Sequence, residues 1–239
     1  ASIRSALTSN NYSVSNISDY CIDDDASASK LVTWVESHDN YLNDGTYTLT
    51  DEQIKLGWGI ITARAEGTPL FFSRPMNSGT TADTMYGDNI IGEAGSDIYR
   101  DDEVVAVNKF RTAMAGEEEN LVNPDGDTSV LMIERGTKGL VVVNGNYNNT
   151  VLDTATNLAD GTYINKTDDG SVFTVVDGEI SGILPARSLV VLYEAEDSEY
   201  TTVFYYGSVD ADTTSLSESD AELTVNEYKD NWQAIVVPA

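Results

Sequence analysis

The single histidine of this 239-residue chain, His38, stands directly before an aspartate, Asp39, and the two follow an apolar run from Leu31 to Val35. The run is short, β-branched and aromatic. It reads as a buried strand, which leaves Glu36, Ser37, His38 and Asp39 at its C-terminal end. An imidazole beside a carboxylate is either a hydrogen-bonded structural pair or part of a reactive group of residues, and its place in the fold separates the two. In a parallel α/β barrel the C-terminal strand ends form the catalytic face. With one histidine in the chain, a His-rich metal site is excluded.

The elements that must position this pair follow in order. Thr50 and Gln53 make a capping box, and Ile54, Trp58, Ile61 and Ala65 continue at helical spacing. This predicts an amphipathic helix from Asp51 to Ala65, with Gly67 as its C-cap and Pro69 as a stop. Leu70 to Ser73 reads as a second strand, so strand, helix and strand make a βαβ unit with a right-handed crossover. Residues 76–100, rich in Gly, Asn, Asp and Thr, fall where barrel enzymes carry active-site loops. Asp101 or Asp102 then caps a further helix, in which Val104, Val107, Phe110, Arg111 and Met114 form one stripe and Gly116 marks the end. Upstream, Ser2 to Leu7 has Ile3, Ala6 and Leu7 on one helical side, and Thr8 to Asp25 reads as an irregular connection.

From Leu121 the hydrophobic period falls to two. Ser129–Glu134, Gly139–Asn144, Val151–Asp153, Thr162–Asn165, Ser171–Val176, Glu179–Ile183 and Ser188–Tyr193 are short strands between Gly- and Asn-containing turns. Such a series predicts an antiparallel sandwich, with Val141, Val142 and Val143 on a central strand covered on both faces. After Tyr193 the chain turns acidic through Glu194 to Glu199. Thr201–Tyr206, Glu222–Val225 and Trp232–Val237 are further strand candidates. Tyr200, Phe204, Tyr205, Tyr206 and Trp232 suit either a core or a sugar-stacking platform.

Forty acidic residues against 13 basic give a formal charge of -27. That argues against nucleic acid as a partner bound by phosphate neutralisation and against docking on anionic membranes. Neutral polysaccharides are not repelled. Cys21 has no partner for an internal disulfide and no metal-ligand spacing around it, so it reads as a small hydrophobe. Asp23, Asp24 and Asp25 lack EF-hand spacing and read as a solvated acidic turn. The apolar run Leu140–Val143 is far too short to span a bilayer, and no signal peptide is visible at Ala1.

The segment Trp34-Val35-Glu36-Ser37-His38-Asp39 resembles the last of the short sequence blocks of the α-amylase family of glycoside hydrolases: an apolar strand, an acid, a variable residue, then His-Asp. Gly67 to Pro75 is similar to that family's eighth barrel strand. Ala106–Arg111 with Met114–Gly116 is similar to its final barrel helix, and Val130–Asn144 with Gly182–Tyr193 to its β-sandwich. The order holds from residue 1 to about 193, and the likeness is to bacterial, subtilis-type members.

The resemblance implies an α/β plus all-β fold. Residues 1–117 would be the last strands and helices of a (β/α)8 TIM barrel, 118–194 an antiparallel Greek-key β-sandwich, and 195–239 an acidic linker and β-rich tail of unassigned role. It implies endo-hydrolysis of α-1,4-glucosidic bonds in starch-like glucans with retention, for which a nucleophile and an acid/base stand about 5 Å apart. The blocks that carry those two residues, Arg-x-Asp-x-x-Lys-His and a Glu at a strand end, do not occur here. The chain therefore resembles the C-terminal part of such an enzyme. It is expected to be inactive alone and to partner the N-terminal part of the same enzyme. Asp39 matches the third carboxylate, which stabilises the transition state; His38 and Asn43 match sugar contacts. Glu36 would face a neighbouring barrel residue, and Arg74 would be an ion-pair partner or a site liner. Calcium is implied for the complete enzyme, with ligands outside this chain. Chloride is not expected, because Ser37 replaces the Asn of chloride-dependent relatives. A secreted or cell-surface bacterial address follows from the same likeness. The rival readings are a non-catalytic starch- or glucan-binding module and a purely structural extracellular sandwich.

Overall fold

A computed structural model describes residues 2–18, 25–88 and 90–194, together with the backbone of 202–206 and 233–237. The chain forms two compact units, residues 1–195 and 196–239. In the first, helices α1 (Ser2–Ser9), α2 (Val14–Ile17), α3 (His38–Asn43), α4 (Asp51–Ala63) and α5 (Asp102–Ala113) accompany a short parallel pair, β1 (Val32–Thr33) and β2 (Thr68–Pro69). Eight antiparallel strands follow: β3 (Glu119–Val122), β4 (Val130–Arg135), β5 (Gly139–Asn144), β6 (Thr150–Ala155), β7 (Gly161–Ile164), β8 (Val172–Val176), β9 (Glu179–Leu184) and β10 (Ser188–Tyr193). In the second unit, β11 (Thr202–Tyr206) pairs antiparallel with β12 (Gln233–Val237).

The sandwich has two sheets, in the orders β10-β5-β4-β3 and β6-β9-β8-β7. Alternation sorts the first sheet's side chains into two cores. Val130, Met132, Leu140, Val142, Val190 and Leu192 meet Leu152, Phe173, Ile180 and Leu184 of the second sheet. The intervening residues Leu131, Ile133, Val141, Val143, Leu189 and Val191 face the helices, against Leu7, Ile60, Ile61, Val107 and Phe110. Both faces of β5 are covered, as its unbroken apolar run predicts. Helix α4 comes close to this sheet because Gly59 has no side chain: a Cβ there would lie 2.4 Å from Leu189 Cδ2.

The capping box of α4 is present, with Gln53 N donating to Thr50 Oγ1 at 3.2 Å and Thr50 N to Gln53 Oε1 at 2.9 Å. The helix stops at Ala63, before the expected Ala65, and Gly67 (φ +77) lies in the turn beyond rather than at the cap. The Glu119 carboxylate is the physical reason. It accepts from Ala65 N and from Arg64 Nε, both at 2.7 Å, and draws the chain off the helix axis. Arg111 then donates to the freed carbonyls of Thr62 and Arg64. Helix α5 starts as expected, Asp101 accepting from Glu103 N at 3.1 Å.

Four expectations need correction. The strand predicted over Leu31–Val35 is only two residues long and half-buried: Thr33 and Val35 point inward, while Val32 and Trp34 are exposed. Among the described residues β2 is its only neighbouring strand. The second strand is Thr68–Pro69 rather than Leu70–Ser73, because the ladder ends with Leu70 N donating to Thr33 O. The irregular stretch from Thr8 contains α2, and β3, at the edge of its sheet, joins the expected strands of the sandwich. Among the described residues no helix is long and apolar enough to cross a membrane.

Candidate active site at the end of the parallel pair

Strands β1 and β2 run parallel, with Val32 opposite Thr68 and Thr33 opposite Pro69. Parallel pairing sends the segments after Thr33 and after Pro69 out of the same end. The first turns into α3. Ser37 is its N-cap, its Oγ accepting from Asn40 N at 3.3 Å, so that His38 and Asp39 form the first turn. Asp39 and Asn43 are four residues apart, which places them on one helix face. His38 Nε2 lies 3.4 Å from Asp39 Oδ1, and the two side chains are 77% and 75% exposed. The structure thus brings His38, Asp39 and Asn43 together on one short helix, open to solvent.

What holds this helix lies beneath it. Glu36, the residue before the cap, is buried and meets the Arg74 guanidinium at two points, Nε to Oε1 at 2.7 Å and Nη2 to Oε2 at 2.9 Å. Arg74 also donates to the carbonyls of Leu49 (2.7 Å) and Thr46 (3.0 Å). Arg74 is an ion-pair partner and also borders the cleft formed by the loop after β2, and Glu36 faces the end of the neighbouring strand's segment. Tyr41 points inward from α3. Its hydroxyl donates to Met85 O at 2.6 Å, its ring lies 5.5 Å from that of Phe72, and the Arg74 guanidinium sits 5.4 Å from its centroid. On the outer side Asn40 Oδ1 accepts from Trp34 Nε1 at 2.7 Å, tying an exposed indole to the first turn of α3.

Tyr41 and Asn40 were not foreseen from sequence. The available signal was the lone aromatic in His38-Asp39-Asn40-Tyr41-Leu42-Asn43, which needed a helix to give it an inward direction. The loop after β2 folds back on itself through Asp88 N to Met76 O and Ser96 N to Arg74 O, each 2.8 Å. It encloses a cleft of about 280 Å³ bordered by Phe72, Ser73, Pro75, Asp88 and Glu93.

Chemically, an exposed carboxylate and imidazole on a braced helix can hydrogen-bond a polar ligand and place negative charge near a developing cation. Among the described residues no group of three or more His, Cys, Asp or Glu side chains is placed to hold a metal ion, so no ligand set for calcium can be named. Cys21, Asp23, Asp24, Tyr200, Trp232 and Glu222–Val225 lie outside the described residues, and Phe204, Tyr205 and Tyr206 fall on β11.

No protein-family model matches the chain. It is 43% identical to an α-amylase of Butyrivibrio fibrisolvens over 254 residues, covering 99% of this chain and 26% of that protein. It is 40% identical to an α-amylase of Clostridium acetobutylicum over 167 residues, covering 70% of this chain and 20% of that protein. The chain therefore spans about a quarter or less of the curated relatives it matches. Among solved structures, α-amylase I of Eisenia fetida superposes with a TM-score of 0.51 at 15% identity, covering 69% of this chain and 41% of that one. A cyclomaltodextrin glucanotransferase with a three-domain ABC distribution gives 0.54 at 15% identity, covering 82% and 43%. These two likenesses concern the fold alone. Over the part of their length that it spans, the chain belongs to the family of the bacterial α-amylases.

Proposed function

We propose that this chain is the C-terminal portion of an α-amylase that cuts internal α-1,4-glucosidic bonds of starch-like glucans with retention. The observation that carries the reading is the presentation of His38 and Asp39, exposed on α3 at the end of a parallel strand pair and braced from below by Glu36, Arg74 and Tyr41. In this reading residues 1–117 are the last strands and helices of a (β/α)8 barrel and 118–194 a Greek-key sandwich. The exposed Val32 on the parallel pair, with the exposed Trp34 and Leu70 just beyond its two strands, supports it, since a two-stranded parallel sheet with open edges needs further strands. Those strands come from the N-terminal part, which also supplies the nucleophile and the acid/base.

The chemistry of this chain is then that of one carboxylate. The nucleophile displaces the leaving oxygen at the anomeric carbon while the acid protonates that oxygen, and water later cleaves the glycosyl-enzyme bond. Positive charge builds on the ring in both steps. Asp39 would hold the sugar hydroxyls with hydrogen bonds that tighten as the ring distorts, which lowers the barrier rather than merely improving binding. His38 and Asn43 would orient the same sugar and its neighbour. Calcium held by residues outside this chain belongs to the same proposal. So does an extracellular address, because a starch-sized polymer must be met outside the cell.

The test is Asp39→Asn in the complete polypeptide. Turnover should fall on the order of a hundredfold or more, with starch binding retained. Undiminished turnover would reject this role for Asp39 and favour the glucan-binding module.

A further inference from the structure

We propose that Asn40 is a positioning residue for Asp39: its side-chain amide anchors the first turn of α3 to the Trp34 indole just beyond β1 and to the residues that cap both ends of the helix. The proposal rests on the transition-state role given to Asp39 above.

Helix α3 has six residues, too few to hold together on its own backbone hydrogen bonds. Among the described residues the Asp39 carboxylate has no partner outside the helix and meets only His38 Nε2. Whatever fixes the backbone of α3 therefore decides where that carboxylate stands. Glu36, Arg74 and Tyr41 support the helix from beneath. Asn40, half-buried and next to Asp39 in the chain, ties its outer side.

The Asn40 amide joins three points. Its Oδ1 accepts from Trp34 Nε1 at 2.7 Å and from Ser37 Oγ at 2.9 Å, and its Nδ2 donates to Asp44 Oδ2. Ser37 is the N-cap and Asp44 the C-cap, and the carbonyls of Asp44 and Gly45 in turn accept from Arg4 of α1. One side chain thus couples the strand end, both ends of α3 and, through Asp44, a neighbouring helix. The position needs a group that both accepts and donates, as an amide does. A carboxylate there could accept from Trp34 and Ser37, but it would stand beside Asp39 and four residues from Asp44, where like charges repel.

The experiment is steady-state starch hydrolysis by the complete polypeptide carrying Asn40→Ala, Trp34→Phe or both, each with and without Asp39→Asn, read well below the thermal midpoint of every variant. Asn40→Ala and Trp34→Phe should each lower kcat about tenfold, with KM held within about twofold, since a misplaced carboxylate loses interactions made only in the transition state. Trp34→Phe keeps the ring and removes the donor, so it guards against a mere loss of packing. The double variant should lose little more than Asn40→Ala, because both changes break the same bond. In the Asp39→Asn background none of them should lower kcat further. The proposal is overturned if Asn40→Ala and Trp34→Phe turn over like the parent, if their losses are as large in the Asp39→Asn background, or if they change only KM or the thermal midpoint. Parental turnover in Asp39→Asn alone rejects the role of Asp39 and this proposal with it. Full loss in Asp39→Asn with parental kcat in Asn40→Ala rejects the positioning alone.

Discussion

Arg74 and Glu36 are paired through two hydrogen bonds at 4% and 2% side-chain exposure, 38 residues apart in sequence and immediately beneath the helix that presents Asp39. Removing one partner leaves a buried charge without its counterion. Glu36→Gln should cost about 3–5 kcal/mol in urea unfolding. Arg74→Lys should also destabilise, because an ammonium cannot reproduce the two-point fork or reach the Thr46 and Leu49 carbonyls together. The apolar double variant Glu36→Leu/Arg74→Met should cost less than the sum of its single changes. Simple additivity would mean that the two residues act independently.

Gly59→Ala sets two effects against each other. Alanine gains about 1 kcal/mol over glycine in helix propensity. Its methyl group, however, would enter the space of Leu189, whose Cδ atoms lie 2.4 and 2.7 Å from the new Cβ and whose side chain is buried in the β10 core. Overpacking of this kind costs about 1–3 kcal/mol, so the net change should be destabilising. A rise in the denaturation midpoint of Gly59→Ala would show that helix α4 can move off the sheet.

The sandwich was legible from sequence because its strands are short and bounded by turn residues, with outer strands such as β8 alternating and the unbroken apolar run of β5 marking a strand covered on both faces. The edge strand Glu119–Val122 was not, since two of its four residues are polar and β4 is its one strand partner among the described residues. At the site, His38, Asp39 and Asn43 could be singled out by residue type and likeness, yet their placement on a helix could not. His-Asp-Asn-Tyr-Leu-Asn has weak helix propensity, and what closes the turn is the Ser37 cap together with the burial of Tyr41. Glu36 with Arg74 illustrates a further limit. Each is visible as a charge near a strand end, but their pairing is a property of the parallel register.

Glu134 is a buried carboxylate satisfied by neutral donors. Its Oε1 accepts from Thr156 Oγ1 (2.8 Å) and Asn157 N (2.7 Å), and its Oε2 from Asn120 Nδ2 (2.7 Å) and Asn157 Nδ2 (2.8 Å). It thereby ties the edge of the first sheet to the start of the second. Glu134→Gln would turn an amide donor toward donors and should cost about 1–3 kcal/mol. Faster hydrogen exchange at Asn157 N–H should accompany the loss. Wild-type stability and protection in Glu134→Gln would show that the network can rearrange around the amide.

Alkaline pH should unfold the chain through groups whose protons the fold retains. Burial raises the Tyr12 hydroxyl above its ordinary 10.0 despite the nearby Arg187, and raises Tyr163 and Tyr193 with help from Asp160 and Glu194. For Lys55, burial alone would lower the pKa, but hydrogen bonds and charge from Glu103 and Asp101 outweigh it, and the result lies above 10.5. Above these ordinary values the unfolded chain has released protons that the folded chain still binds, so stability falls as pH rises. The contribution is complete below pH 10 for the tyrosines and below 10.5 for Lys55, and is lost as pH passes each raised value. Phenolate absorbance should show Tyr12, Tyr163 and Tyr193 titrating late in the native chain and at the ordinary value in urea. Melting midpoints should decline over the same range. A single phenolate transition at the ordinary value, with midpoints flat across it, would mean that these hydroxyls reach solvent.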